Sequence, residues 1–169
     1  MPEPDDAPGP QLKLLWISVL VVVVDQLAKF VAESVLPLRQ SVNVLPFFDW
    51  YLTYNTGAAF SFLAGAGGWQ RWFFTVTAIV ISIIIFFWIK KLTPGEKLTA
   101  IALCLILGGA IGNLIDRIYL GYVIDYLLVW LGSYPWPAFN FADVAISAGA
   151  VILVVSGFSG QNKTAPPEN

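Results

Sequence analysis

The sequence predicts an all-α integral membrane protein: four transmembrane helices, with a small extracytoplasmic β-platform between helices 1 and 2. Three observations predict it. The 169 residues are 57% hydrophobic and only 12% charged, where soluble domains carry about 25% charged residues, and the mean hydropathy is +0.73. Long apolar runs recur along the chain, separated by stretches rich in Pro, Gly and aromatic residues. The acidic and amide residues gather at or near the ends of those runs. The length fits one domain. A net charge of −2 with no basic block excludes nucleic acid as a partner. There is no histidine, which excludes His-based zinc proteolysis, bis-histidine haem and any Ser-His or Cys-His pair. The single cysteine, Cys104, lies mid-run in LTAIALCLILGG and is expected to be an inert packing residue.

Residues 1–11 (MPEPDDAPGPQ) lack apolar periodicity and predict a disordered tail. With no basic n-region and no small-residue cleavage site, the start is not expected to be a removable signal peptide. The membrane domain is expected over 12–160, followed by a polar tail at 161–169.

The first span is expected at 12–36. Its rise of 1.5 Å per residue puts Asp25 roughly 20 Å from the start, in the far half of a bilayer. Asp25 and Lys29 are four apart with the acid first, the order that favours an ion pair on one helical face. Such a pair neutralises itself against the bundle interior, or Lys29 holds a substrate head group. Residues 37–68 mix β-branched, aromatic and polar residues with partial alternation, the signature of the β-platform. Trp50, Tyr51 and Tyr54 suit the headgroup level. Asp49 is expected in a turn, Asn55-Thr56-Gly57 as a tight turn, and 58–63 as a short interfacial helix.

The second span, 69–89, is expected to be scaffold. The third, 98–115, is about 27 Å of helix, barely enough to cross. Its Gly108 and Gly112 make a GxxxG spacing that lets helices approach closely. Residues 119–138 are expected to form a re-entrant or interfacial connection containing Asp125. The fourth span is expected at 139–158, with Ala142, Ala145 and Gly149 on a small-residue seam. Lys13, Lys90, Lys91, Lys97 and Lys163 fall on one side of this arrangement and Arg39, Arg71 and Arg117 on the other. The positive-inside rule then puts both termini in the cytoplasm. Asp25, Asn55, Asn113, Asp116, Arg117, Asp125, Asn140 and Asp143 collect at the outer level.

A charge near hydrocarbon is costly unless paired, hydrated or used. Two neighbouring carboxylates cannot both ionise cheaply, so one proton is shared. That is the arrangement of an aspartic protease, in which the ionised acid activates water and the protonated one hydrogen-bonds the peptide carbonyl. The pattern alone leaves the pair open. Asp116, beside Arg117 and one turn from Asn113, is expected to stay ionised and structural. Asp125 sits in the apolar run VIDYLLVW with no adjacent cation, a setting for a raised pKa, and Asp125 with Asp143 is the favoured pair.

DQLAK (25–29), YNTGAAFSFL (54–63), GGAIGNLIDR (108–117), VIDY (123–126) and PAFNFADVAI (137–146) together resemble the successive boxes of the lipoprotein signal peptidase (signal peptidase II) family, in order and at its spacing. The resemblance implies an aspartyl endopeptidase of the bacterial inner membrane. Such enzymes cut a prolipoprotein before a cysteine that already carries diacylglycerol. It implies a catalytic dyad of Asp125 and Asp143. Asn113 and Asn140 would support the dyad, Asn55 and Arg117 would contact the peptide or globomycin-type inhibitors, and Gly57, Ala142, Asp25 and Lys29 match further motif positions. Membrane lipids are the surroundings; no cofactor or metal is expected. Two other readings fit a polar cluster in a membrane: a proton- or cation-coupled transporter, whose carboxylates would be spread through the depth, and a scaffold whose aspartates only join helices.

Overall fold

The computed structural model of the protein describes residues 9–57 and 69–161. The interfacial helix expected at 58–63 and the tail residues 1–8 and 162–169 lie outside the described residues. The described residues form four α-helices: α1 (Leu15–Val35), α2 (Trp69–Lys91), α3 (Lys97–Tyr119) and α4 (Phe141–Gln161). Their sequences are Leu-, Ile- and Val-rich, and the buried positions include those that meet other helices and, at Ala32 of α1, the sheet. The segments Gln11–Val35, Trp69–Lys91 and Pro94–Tyr119 are long and apolar enough to cross a membrane, and Phe141–Ser156 of α4 is a shorter apolar helix. The third span is longer than the sequence suggested, 23 residues rather than ending at 115, because the polar run Asn113 to Arg117 continues the helix instead of terminating it.

The chain enters α1 through one turn of 3₁₀ helix, Pro10–Leu14. Gln11, read from sequence as tail, is buried, and its Nε2 donates to Thr93 O and Pro94 O at 2.9 Å each. A side-chain amide thus fastens the chain start to the α2–α3 turn. Beside it Leu14, Ile85, Ile89, Leu92, Leu103, Cys104 and Leu107 form one apolar cluster, so Cys104 is a buried packing residue.

Helix α3 is central and packs on α1, α2 and α4. Glycines make this possible. A Cβ on Gly108 would lie 2.7 Å from Val21 Cβ and 2.8 Å from Ser18 O, both of α1. One on Gly109 would run into Ala142 O of α4, and one on Gly112 would lie 2.6 Å from Asp25 Oδ2. The small side of α3 therefore serves two partners, α1 through Gly108 and α4 through Gly109. Gly149 of α4 repeats the device against Ala102 O at 2.6 Å.

The strands form one antiparallel sheet in the order β1 (Ser41–Leu45), β2 (Phe48–Asn55), β3 (Val123–Leu131), β4 (Tyr134–Pro135). This corrects the expectation of a platform drawn only from residues 37–68. The connection at 119–138 supplies half of it, and β3 pairs with β2 along Phe48↔Val129 to Asn55↔Val123. Asp49 is likewise no turn residue. It is a buried position of β2 that accepts from Trp130 Nε1 at 3.0 Å and Asn43 Nδ2 at 2.8 Å, pinning three strands together. One face of the sheet packs Leu52, Ile124 and Tyr126 on Ala32 of α1. The other face, with Tyr51, Thr53, Asn55 and Asp125, borders a cleft.

Candidate active site

The site is built where that sheet meets the C-terminal halves of α1 and α3 and the N-terminal turn of α4. Strand β3 delivers Asp125 directly opposite Thr53. Its neighbours Ile124 and Tyr126 turn to the opposite face, as the twofold period of a strand requires. The carboxylate is 2% exposed. Its Oδ2 accepts from Asn55 Nδ2 at 3.0 Å and its Oδ1 from Asn140 Nδ2 at 2.8 Å. Burial first, and then the nearby charge of Asp143, push its pKa up to about 7. Those amide hydrogen bonds pull the other way and lose to desolvation.

Asp143 comes from the first turn of α4, and its place there is set by a helix cap. Asn140 precedes the helix, and Asn140 Oδ1 accepts from Asp143 N at 3.0 Å while Asp143 Oδ2 accepts from Asn140 N at 3.2 Å. This reciprocal pair is a capping box in which an acid takes the N3 position. It leaves Asp143 Oδ1 to accept from Asn113 Nδ2 at 2.8 Å. One asparagine, Asn140, therefore holds both acids: its side chain donates to Asp125, and its backbone and side chain hold Asp143. Asp125 and Asp143 border the same cleft.

Behind the acids lies a charged cluster sealed from solvent. Lys29 is 1% exposed, Asp25 0% and Asp116 2%. Lys29 Nζ bonds Asp25 Oδ2 at 2.7 Å, Asp116 Oδ2 at 2.8 Å and Asn113 Oδ1 at 3.0 Å. All three ammonium protons are thereby used. The expected pair Asp25–Lys29 is present, but Asp116 takes Lys29 and not the adjacent Arg117 as its cation. The excess negative charge is met by backbone: Asp25 Oδ1 accepts from Ala142 N, at the start of α4, at 2.9 Å, where the helix dipole favours an anion. Asp116 Oδ2 accepts from Ile124 N at 3.2 Å. Because Asn113 Oδ1 accepts from both Lys29 and Asn140, its NH₂ group can only face Asp143. Lys29 thus orients the amide that holds one of the acids.

Arg117 lines the cleft with the two acids. Its Nη1 donates to Asn113 O at 3.2 Å, and its guanidinium lies 5.6 Å from the Phe74 ring centroid. Its buried Nε has no acceptor among the described residues. Gly57, two residues beyond the end of β2, donates its N–H to Asn55 Oδ1 at 3.1 Å, which orients Asn55 toward Asp125. Gly57 has φ +150, and a Cβ there would press on Phe74 at 3.2 Å.

Three contributors escaped the sequence reading. Gln26 donates to Asp116 Oδ1 at 2.9 Å and Gly112 O at 3.2 Å; an amide inside an apolar run was its available signal. Arg71 corrects the view of the second span as plain scaffold. Its Nε donates to Arg117 O at 3.0 Å and its Nη2 to Ile118 O at 2.9 Å, capping the carbonyl end of α3. Phe74, beneath Arg117, carried no signal at all. Among the described residues no group of acids or Cys has the arrangement of a metal site.

The cleft beside the acids has a volume of about 1990 Å³, well above the ~300–1,000 Å³ of ordinary small-molecule pockets. It suits an extended or branched ligand.

The chain is similar to known proteins along most of its length. The profile of the family described as "Signal peptidase (SPase) II" matches residues 17–159. The lipoprotein signal peptidase of Pseudomonas aeruginosa is 53% identical over 150 residues, covering 88% of this chain and 89% of that protein. The one from Pseudomonas putida is 48% identical over 168 residues and covers 98% of each, and the one from Alteromonas mediterranea is 48% identical over 90% of this chain and 84% of its own. A bacterial membrane enzyme solved by the in meso method superposes with a TM-score of 0.81 at 27% identity, covering 97% of this chain and 98% of its own. A second such structure gives 0.75 at 28%, covering 90% and 96%. The chain is a bacterial membrane peptidase that belongs to the signal peptidase II family.

Proposed function

We propose that the chain is an aspartyl endopeptidase that removes signal peptides from diacylglyceryl-modified prolipoproteins, cutting before the lipidated cysteine with Asp125 and Asp143. The observation that carries this reading is that two acids from different elements border one cleft, joined through Asn113 and Asn140. Asp125 holds the shared proton, in line with its raised pKa. It donates to the scissile carbonyl oxygen, which takes up negative charge as water attacks. Asp143 takes the proton of that water. When the tetrahedral intermediate collapses, the proton on Asp143 passes to the leaving amine and Asp125 recovers its own. Asn55, Asn113 and Asn140 hold the acids, and Arg117, which lines the cleft, meets peptide carbonyls or an inhibitor such as globomycin. Asp25, Lys29 and Asp116 with Ala142 support this layer. No cofactor enters the reaction.

In this reading residues 12–160 form one four-span domain of the inner membrane, with both termini cytoplasmic and the acids at the periplasmic face. The substrate's acyl chains stay in lipid while the scissile bond meets water. A transporter would need carboxylates along the membrane depth, whereas these sit at one end of the helices. The test is cleavage of a diacylglyceryl-modified substrate by the purified protein and its Asp125→Asn and Asp143→Asn variants. Both variants are expected to insert and fold yet release no signal peptide. Near-normal processing by either one removes that acid from the mechanism.

A further inference from the structure

The cleft has two unlike ends. Along α4 it is lined by Val144, Ser147, Ala148 and Val151, an apolar lane about 10 Å long at 1.5 Å per residue. On the far side of the acids it runs across the sheet, past Tyr51 and Ser41 to Arg39. Tyr51 lies two residues before Thr53, the partner of Asp125, on β2, and pairs with Ser41 of β1.

Arg39 is a peculiar residue to find there. It has φ 57, the one positive-φ residue other than glycine among the described residues, where a Cβ is disfavoured. The backbone is held by its N–H, which donates to Leu52 O at 2.8 Å. The side chain is exposed and has no ion pair or hydrogen bond among the described residues. A glycine would fit this backbone with less strain, yet the position presents a guanidinium to the cleft.

Three branches meet at the scissile bond of the proposed substrate: an apolar signal helix, two acyl chains and a mature polypeptide. Only the last is polar, so it leaves by the sheet end. Arg39 sits beside Leu52, one residue from Thr53, so two strand spacings of ~4.8 Å across the sheet and one residue of ~3.4 Å along it put its backbone roughly 10 Å from that of Asp125, the reach of about three extended residues. We infer that Arg39 is a specificity-determining residue that recognises an acidic side chain in the second to fourth residues of the mature lipoprotein. This rests on the peptidase reading above, and an anionic lipid head group is the competing source of the same chemistry.

The experiment compares wild type, Arg39→Gly and Arg39→Glu on two diacylglyceryl peptides that differ only in carrying Asp or Lys at those positions. Each is assayed in zwitterionic detergent with and without anionic phospholipid. Wild type should cleave the acidic peptide about fivefold more efficiently, the scale of an exposed ion pair. Arg39→Gly, which relieves the backbone and so should fold, should bring the two within twofold, and Arg39→Glu should invert the preference. A ratio unchanged across the three proteins overturns the inference. So does an Arg39 effect that tracks the phospholipid and ignores the peptide. Failure of wild type to cleave either peptide would instead strike at the peptidase reading.

Discussion

Replacing Lys29 by methionine isolates the buried charge cluster, because the stem volume is largely kept and only the ammonium is lost. Lys29, Asp25 and Asp116 are at most 2% exposed, so neither carboxylate can turn to water when its cation goes. Asp25 would keep Ala142 N, with Gln26 at 3.3 Å, and Asp116 would keep Gln26 and Ile124 N. Removing one partner of a buried pair costs about 3–5 kcal/mol, and here one cation serves two anions. Lys29→Met should therefore unfold about 3–5 kcal/mol more easily, on the order of 10 °C in a chain of this length. The assay is thermal or denaturant unfolding in detergent, followed by the intrinsic fluorescence of the tryptophans. Lys29→Met with Asp116→Asn should recover about half of the loss, since one stranded charge is then neutral. A single variant within about 1 kcal/mol of wild type, or a double variant no better than the single, would refute the reasoning. It would mean that the cluster is hydrated and not sealed.

Other expectations follow from the same geometry. Asp125 titrates near 7 when folded and near 3.9 in an unfolded chain. The stability it contributes is thus full below about 4 and is given up as pH rises toward 7. If Asp125 works as the acid, single-turnover cleavage should fall on the alkaline side of a midpoint near 7; a flat rate across neutral pH would count against it. Gly109→Ala should push the start of α4 off α3, because its methyl meets Ala142 O. The cost should be about 1–3 kcal/mol, with a loss of cleavage larger than the fraction unfolded, since Asp143 moves with that turn. Asn140→Ala should cost about 1 kcal/mol through the lost cap and lower kcat far more than KM, because both acids lose their common holder; equal cleavage by the variant would separate the cap from the chemistry.

Much of this architecture was legible in the residues, and the reasons differ by element. The helices announce themselves because apolar runs near twenty residues have few other uses. The sealed pair Asp25–Lys29 was visible through its spacing, and Asp125 through its lack of a neighbouring cation. Strand β3 was hidden. Val123, Ile124, Asp125 and Tyr126 are all buried, and a strand covered on both faces loses the alternation that reveals half-exposed ones. The partner of Asp116 was misread because Arg117 is adjacent in sequence, whereas successive helical residues point apart and the nearer cation arrives from another helix. Arg71 and Phe74 could not be found, since an arginine and a phenylalanine at a membrane boundary are ordinary until the carbonyls and the guanidinium they touch are known.

The bond from Ala142 N to Asp25 Oδ1 spans 117 positions of the chain and has a bearing on biogenesis. When the first hydrophobic segment leaves the ribosome, the groups that will complete its polar patch have not been synthesised. Asp25 and Lys29 then have only each other, which is enough to let an acidic and a basic residue enter the bilayer as a neutral unit. Helix α4, made more than a hundred residues later, brings the missing amide together with Asp143. On the proposed mechanism, hydrolytic competence therefore arrives only once α4 has inserted beside α1 and α3.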